Sequence, residues 1–263
     1  MVIVFDIGNS NVVAGIRDEY SWKAVWRFPT YQEQPSLLFY EVKLSENLLE
    51  AGLAPDSCTR IVVSSVVPEL TPVFIALGNQ LFNLEPIVMR GTLFENIGLS
   101  IERPHEIGSD LVANALAVYH RHKKDSIIVD FGTALTFTPV TAHGEILGVS
   151  IAPGLKTAIS ALYSKTAQLP EVPLELPDSP IGRNTTHAIQ SGILIGYVGL
   201  VRHMLEEIRK YAGLHYQAIA TGGLSSILEP LALTFDCIDP NLTLEGIHLF
   251  GEIVAEEPLN YLP

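Results

Sequence analysis

The apolar residues of this chain fall into short buried-looking runs, two of which end in the same way. Residues 2–5 run apolar into Asp6-Ile7-Gly8-Asn9-Ser10-Asn11, and the run resumes at Val12, Val13, Ala14, Gly15 and Ile16. Ile127, Ile128 and Val129 lead likewise into Asp130-Phe131-Gly132-Thr133, after which Ala134-Leu135-Thr136-Phe137 alternates onward. Both stretches read as strand, tight turn, strand. Each first strand ends in a carboxylate, and the glycine two residues later lets the turn backbone approach a ligand closely. Turn N–H groups and hydroxyls can bind phosphate oxygens there, and the carboxylates can hold a cation. One copy alone is more simply an Asp-Gly hairpin; two copies in equivalent contexts favour the phosphate reading.

The pattern elsewhere alternates strand and helix. Trp22, Val25 and Trp26 continue the sheet toward Phe28-Pro29, and residues 35–51 are compatible with a helix of no clean period. Residues 60–68 form a buried strand that ends in Ser64-Ser65 and Pro68. A helix over 70–81 and a strand over 85–89 then complete a β–α–β order, which implies a right-handed crossover. Leu111, Ala115 and Val118 share one face of a helix over 111–122, with Ser109 or Asp110 in its first turn, where an acid is first of all a cap. After the second hairpin come a turn at Gly144, a strand, and a Pro-Gly turn into a helix over 156–163. Pro170, Pro173, Pro177 and Pro180 keep 168–180 extended, and Asn184-Thr185-Thr186 caps a long helix reaching about Tyr211. Residues 217–221 then run into Gly222-Gly223 ahead of a helix over 224–231. Such a junction lets a nucleotide lie against backbone, and a structural turn explains it as well.

Composition narrows the picture. With 263 residues, 48% hydrophobic and 17% charged, the chain can bury one large core or two of ordinary size, and the repeat favours two halves, 1–118 and 119–263. A net charge of −13 argues against nucleic acid and anionic membranes as partners. The one basic cluster, His120-Arg121-His122-Lys123-Lys124, ends a predicted helix, where cations suit the dipole. Cys58 and Cys237 have no metal or redox spacing. No apolar stretch of about 18 residues stands out and no signal-peptide form opens the chain, so a soluble cytoplasmic protein is expected.

Taken together, the two Asp-x-Gly hairpins and the Gly-Gly junction resemble the phosphate and adenosine elements of the actin, sugar-kinase and heat-shock ATPase superfold. That resemblance implies an α/β protein of two duplicated actin-like ATPase (ribonuclease H-like) domains with a nucleotide cleft between them. Within the superfold the chain is similar to the type III pantothenate kinases of bacteria. Matching segments are Asp6-Ile7-Gly8-Asn9-Ser10, Pro104-His105-Glu106-Ile107-Gly108-Ser109-Asp110, Asp130-Phe131-Gly132-Thr133-Ala134, Ile151-Ala152-Pro153-Gly154-Leu155, Thr166-Ala167-Gln168-Leu169-Pro170, Gly182-Arg183-Asn184-Thr185 and Thr221-Gly222-Gly223. They follow the family's order over almost the whole chain.

The family is known for transferring the γ-phosphate of ATP to the primary hydroxyl of pantothenate, the first step of coenzyme A synthesis. It uses Mg²⁺ and a monovalent cation, K⁺ or NH₄⁺, and its members are homodimers. The resemblance implies that Asp6, Ile7, Gly8, Asn9, Ser10, Asn11, Val12 and Val13 form a phosphate loop, Asp6 helping to hold the metal–phosphate group. It further implies Asp130 as a monovalent-cation ligand, Thr133 as a phosphate contact, and Gly222 and Gly223 at the adenosine. Gly108, Ser109, Asp110 and Leu111 match the substrate motif, with Asp110 as the base, and Thr185 matches a pantothenate contact. Such roles suit phosphoryl transfer, in which catalysis is mostly positioning and charge stabilisation.

The chain also departs from the family. Leu111 stands where the motif Gly-x-Asp-Arg has arginine, and Ile101 stands at or near a usual tyrosine; Thr138 replaces an acid and Val149 a glycine. Losing a charge-assisted bond to a carboxylate lowers affinity on the order of tenfold to a hundredfold. Arg103, on the approach to the same turn, is a candidate substitute. The departures leave two other readings open: an accessory or regulatory relative, and a kinase of another small hydroxyl substrate.

Overall fold

The computed structural model describes residues 1–31, 36–213, 215–223 and 229–256. These form two compact units, residues 1–117 with 243–256, and residues 118–242. The first unit thereby takes the last helix, which the halves read from sequence, 1–118 and 119–263, assign to the second.

The first unit opens with β1 (Val2–Ile7), β2 (Asn11–Arg17) and β3 (Trp22–Pro29), then α1 (Leu37–Glu50), β4 (Arg60–Ser65), α2 (Thr71–Leu77), β5 (Ile87–Val88) and α3 (Ser109–His122). Its sheet runs β3-β2-β1-β4-β5, with β2 antiparallel and β4 parallel to β1. The second unit has β6 (Ser126–Phe131), β7 (Ala134–Val140), β8 (Ser150–Pro153), α4 (Leu155–Lys165), α5 (Thr185–Gln190), α6 (Gly196–Ala212), β9 (Gln217–Thr221) and β10 (Cys237–Ile238). Its sheet runs β8-β7-β6-β9-β10, again with the second strand antiparallel and the fourth parallel to the first. The repeated hairpin is therefore one corner of a repeated sheet, the duplicated actin-like arrangement.

Strand alternation decides which face each residue serves. Ile3, Phe5, Ile7, Val12, Ala14, Ile16, Ile61 and Val63 pack on one face against Tyr40, Leu44, Leu48, Phe74 and Leu77 of the helices. The opposite face carries Val4, Asp6, Val62 and Ser64, and α7 (Leu242–Glu256) seats there. A Cβ on Gly251 would stand 2.3 Å from Val62 Cγ2, and one on Gly246 only 1.8 Å from the Ala113 carbonyl oxygen, so both glycines are needed for the helix to approach. Its start is fixed by Glu245, which accepts two bonds of 2.7 Å from Arg17 Nη1 and one of 2.7 Å from Trp22 Nε1. In addition, Thr243 Oγ1 donates to Asn114 Oδ1 at 2.9 Å. In the second unit Ile127, Val129, Phe131, Leu135, Phe137, Ala218 and Ala220 pack against Leu194, Tyr197, Val201 and Leu205.

Several expectations need adjusting. The helix over 70–81 ends at Leu77 and continues as a π turn, Gly78–Phe82, stopped by Asn83 at a φ of 54°. The helix over 224–231 lies largely outside the described residues, and Glu229–Thr234 is a 3-10 turn. Contrary to the sequence reading, one helix, Thr185–Ala212, is long and apolar enough to cross a membrane by length and composition. It joins α5 and α6 through a π turn and delivers one face of the second core, as core helices do.

Candidate active site

In the first unit the polar groups gather at the C-terminal ends of β1 and β4. Asp6 lies in register with Val13 on one side and Ser64 on the other. The turn after it closes through Gly8 N donating to the Asn11 carbonyl at 3.0 Å, leaving Asn9 and Ser10 exposed. Ile7 and Val12, both assigned to the phosphate loop, send their side chains into the core, so only their backbone can serve a ligand.

Ser64 connects β4 to α3. Its hydroxyl is 2.8 Å from Ser109 Oγ, both groups are buried, and Ser65 N also donates to Ser109 Oγ at 3.1 Å. Ser109 thus fixes the start of α3 to the strand end. The next residue is Asp110, half-buried, whose Oδ1 accepts from Leu111 N at 2.9 Å. Burial pushes its carboxyl above the ordinary range, opposed more weakly by backbone N–H groups of Leu111 and Asp110 itself. A raised value makes the carboxylate a better proton acceptor. A Cβ on Gly108 would be 2.4 Å from Asp110 Oδ1, so a side chain there would push the carboxylate from this position. Leu111 is 8% exposed and belongs to the interior. Arg103 lies exposed, its Nη1 paired with Glu106 at 3.2 Å, so it would have to exchange that partner to meet a substrate carboxylate.

The second unit repeats the scheme with different fittings. Asp130 lies in register with Thr136 of β7 and Thr221 of β9, and Gly132 N donates to the Ala134 carbonyl at 3.0 Å, as Gly8 does to Asn11. The Thr136 and Thr221 hydroxyls are buried without a hydrogen-bond partner among the described residues. A carboxylate with an orphaned oxygen on either side is a hard-oxygen donor set of the kind that cations accept, so these residues fit a bound cation. Gly222, at a φ of +91°, closes over the acid: its Cβ would be 2.5 Å from Asp130 Oδ1. Gly154 approaches the turn as closely, with a Cβ position 2.3 Å from the Gly132 oxygen and 2.4 Å from the Thr133 oxygen. Both Gly132 and Thr133 are exposed, as is Gly223.

Thr185 lies on α5 of the second unit. It is the first residue of α5, capped by Asn184, and lines a shallow groove of about 260 Å³ with Leu162, Leu169, Ala188, Ile189 and Ile193. A larger groove of about 460 Å³ along α6, lined by Arg202, Arg209 and Lys210, holds none of the candidate residues. No group of three metal-ligating His, Cys, Asp or Glu side chains occurs among the described residues. Ser64, Thr136 and Thr221 join the candidate residues only here, because strand register alone sets each beside an aspartate.

Comparison with known proteins gives the family and the fold. A family model of the type III pantothenate kinases matches residues 2–207. The type III pantothenate kinase of Pelobacter propionicus is 39% identical over 252 residues, covering 96% of this chain and 99% of that one. That of Thermomicrobium roseum is 38% identical over 247 residues, 94% of this chain and 95% of the other. Among solved structures, the activator of 2-hydroxyisocaproyl-CoA dehydratase from Clostridium difficile, with bound ADPNP, superposes with a TM-score of 0.57 at 11% identity, covering 100% of this chain and 99% of that one. Ethanolamine utilization protein EutJ from Carboxydothermus hydrogenoformans gives 0.55 at 13% identity, covering 95% and 89%; these two likenesses speak to the fold alone. On the family match and the extent of its relatives, the chain belongs to the type III pantothenate kinase family.

Proposed function

We propose that this protein transfers the γ-phosphoryl group of ATP to the primary hydroxyl of pantothenate, the opening step of coenzyme A synthesis. The observation that carries the reading, beyond family membership, is the setting of Asp110. It sits at the start of α3, held to the end of β4 by the Ser64–Ser109 bond, and its carboxyl is raised by burial. Asp110 takes the proton of the attacking hydroxyl, and Gly108 keeps the space its carboxylate needs. The turns at 8–11 and 132–133 bind ATP phosphates through backbone N–H groups and through Ser10 and Thr133, and Gly222 and Gly223 bring backbone close to the adenosine.

Two cations belong to the proposal. Asp6 would help hold Mg²⁺ with the phosphates, and Asp130, flanked by Thr136 and Thr221, would hold K⁺ or NH₄⁺; such cations would supply positive charge against the phosphate oxygens. We further propose a cytoplasmic homodimer. The exposed helical glycines Gly192, Gly196 and Gly199, with open space beside each, and the groove at Thr185 support a close-packing face there. The kinase reading is tested by ADP release with pantothenate present and absent, Mg²⁺ and K⁺ or NH₄⁺ supplied. Pantothenate-dependent release supports it, and no dependence at millimolar pantothenate overturns it.

A further inference from the structure

Each hairpin turn is held from outside by a threonine that belongs to none of the motifs. Thr30, just past β3, donates from Oγ1 to the Gly8 carbonyl at 2.7 Å and from its backbone N to the Ser10 carbonyl at 3.2 Å. Thr157, in the first turn of α4, donates from Oγ1 to the Thr133 carbonyl at 2.7 Å, and Gly154 N donates to the same oxygen at 2.9 Å. The two halves reach this arrangement from different elements, a strand end in one and a helix start in the other.

We infer that Thr30 and Thr157 are positioning residues that set the peptide planes of the two phosphate turns, a role that rests on the ATP reading above. A turn carbonyl aimed at a phosphate would repel it, whereas a turn N–H attracts it. In a trans peptide the carbonyl and the next N–H point in opposite directions. Tying the Gly8, Ser10 and Thr133 carbonyls toward the threonines therefore turns the N–H groups of Asn9, Asn11 and Ala134 to the other side. The turns are short and glycine-containing, so these ties add to the Gly8–Asn11 and Gly132–Ala134 bonds in fixing their peptide planes. Preorganised amides bind an anion without the cost of ordering them at the moment of binding. Thr30 is the stronger tie. Its hydroxyl is half-buried, while that of Thr157 is exposed and shares its carbonyl with Gly154; the backbone bond from Thr30 N to the Ser10 carbonyl survives substitution of the side chain.

The test uses the full chain and a non-hydrolysable ATP analogue with Mg²⁺, its affinity measured for the parent and for Thr30→Val, Thr30→Ser, Thr157→Val and Thr157→Ser. Loss of one neutral hydrogen bond corresponds to about a two- to tenfold change. Thr30→Val should weaken the analogue about three- to tenfold, Thr30→Ser should restore most of that, and Thr157→Val should show a smaller loss, with KM for pantothenate unmoved. A Thr30→Val protein that melts lower but binds the analogue like the parent overturns the inference, as does a Thr30→Ser protein as weak as the valine variant. If the valine variant fails to fold, Thr30→Ala replaces it under the same criteria. A parent chain that does not bind the analogue overturns this inference and the ATP reading together, whereas binding by the parent with no difference among variants overturns this one alone.

Discussion

Replacing Gly222 by alanine puts a methyl group where the second hairpin has no room. The residue has a φ of +91°, and the new Cβ would stand 2.5 Å from Asp130 Oδ1 and 2.7 Å from Phe131 N. Holding a non-glycine residue at such a φ costs about 1–3 kcal/mol. Pushing the carboxylate and backbone aside adds overpacking of about 1–3 kcal/mol. For a chain of this size each kcal/mol lowers the melting temperature by about 2–4 °C. Gly52→Ala separates the two contributions, because Gly52 has a φ of +66° but nothing within 4 Å of its Cβ position. Both variants should be melted and assayed for kinase activity against rising K⁺. Gly222→Ala should melt well below Gly52→Ala and need more K⁺, since its methyl displaces the Asp130 carboxylate; Gly52→Ala should keep the parent's cation response. Equal melting temperatures with the same K⁺ dependence would refute the argument that Gly222 shapes the Asp130 site.

Asp110→Asn should lower kcat by about 10²- to 10⁴-fold. It should also melt above the parent at neutral pH: the folded carboxyl titrates above its ordinary value, so the stability Asp110 contributes is complete below the unfolded pKa and lost as pH rises through the raised folded one. The gap in melting temperature should close at acid pH, and full activity in the variant would return Asp110 to the helix-terminus role its sequence context first suggests. Glu245→Gln, which strands the largely buried Arg17, should cost about 2–3 kcal/mol in urea unfolding, while Glu46→Gln, from an exposed pair with Lys43, should leave the unfolding midpoint in place. Equal costs would remove Glu245 as the anchor of α7.

The hairpins, the β–α–β order and the long helix from Thr185 were legible because each depends on near neighbours in the chain: a buried run, an Asp-x-Gly turn, a cap. The return of α7 to the first unit was not, because it depends on Arg17 and Trp22 meeting Glu245 more than 200 residues away. The candidate site residues divide in the same way. Asp6, Asp110 and Asp130 announce themselves as acids at strand ends or a helix start. Ser64, Thr136 and Thr221 look like ordinary strand hydroxyls until register sets them beside those acids. Burial was the other hidden variable. Nothing local in Gly108-Ser109-Asp110-Leu111 tells that Ser109 turns inward to Ser64 or that Leu111 is interior.

The most direct measurement of the central claim is the identity of the product. The protein, ATP, Mg²⁺, K⁺ or NH₄⁺ and pantothenate are incubated, and the mixture is resolved by mass spectrometry and phosphorus NMR. The account predicts pantothenate carrying one phosphoryl group on its primary hydroxyl, formed in step with ADP. ADP formed without phosphorylated pantothenate, or no product at millimolar substrate, would contradict it.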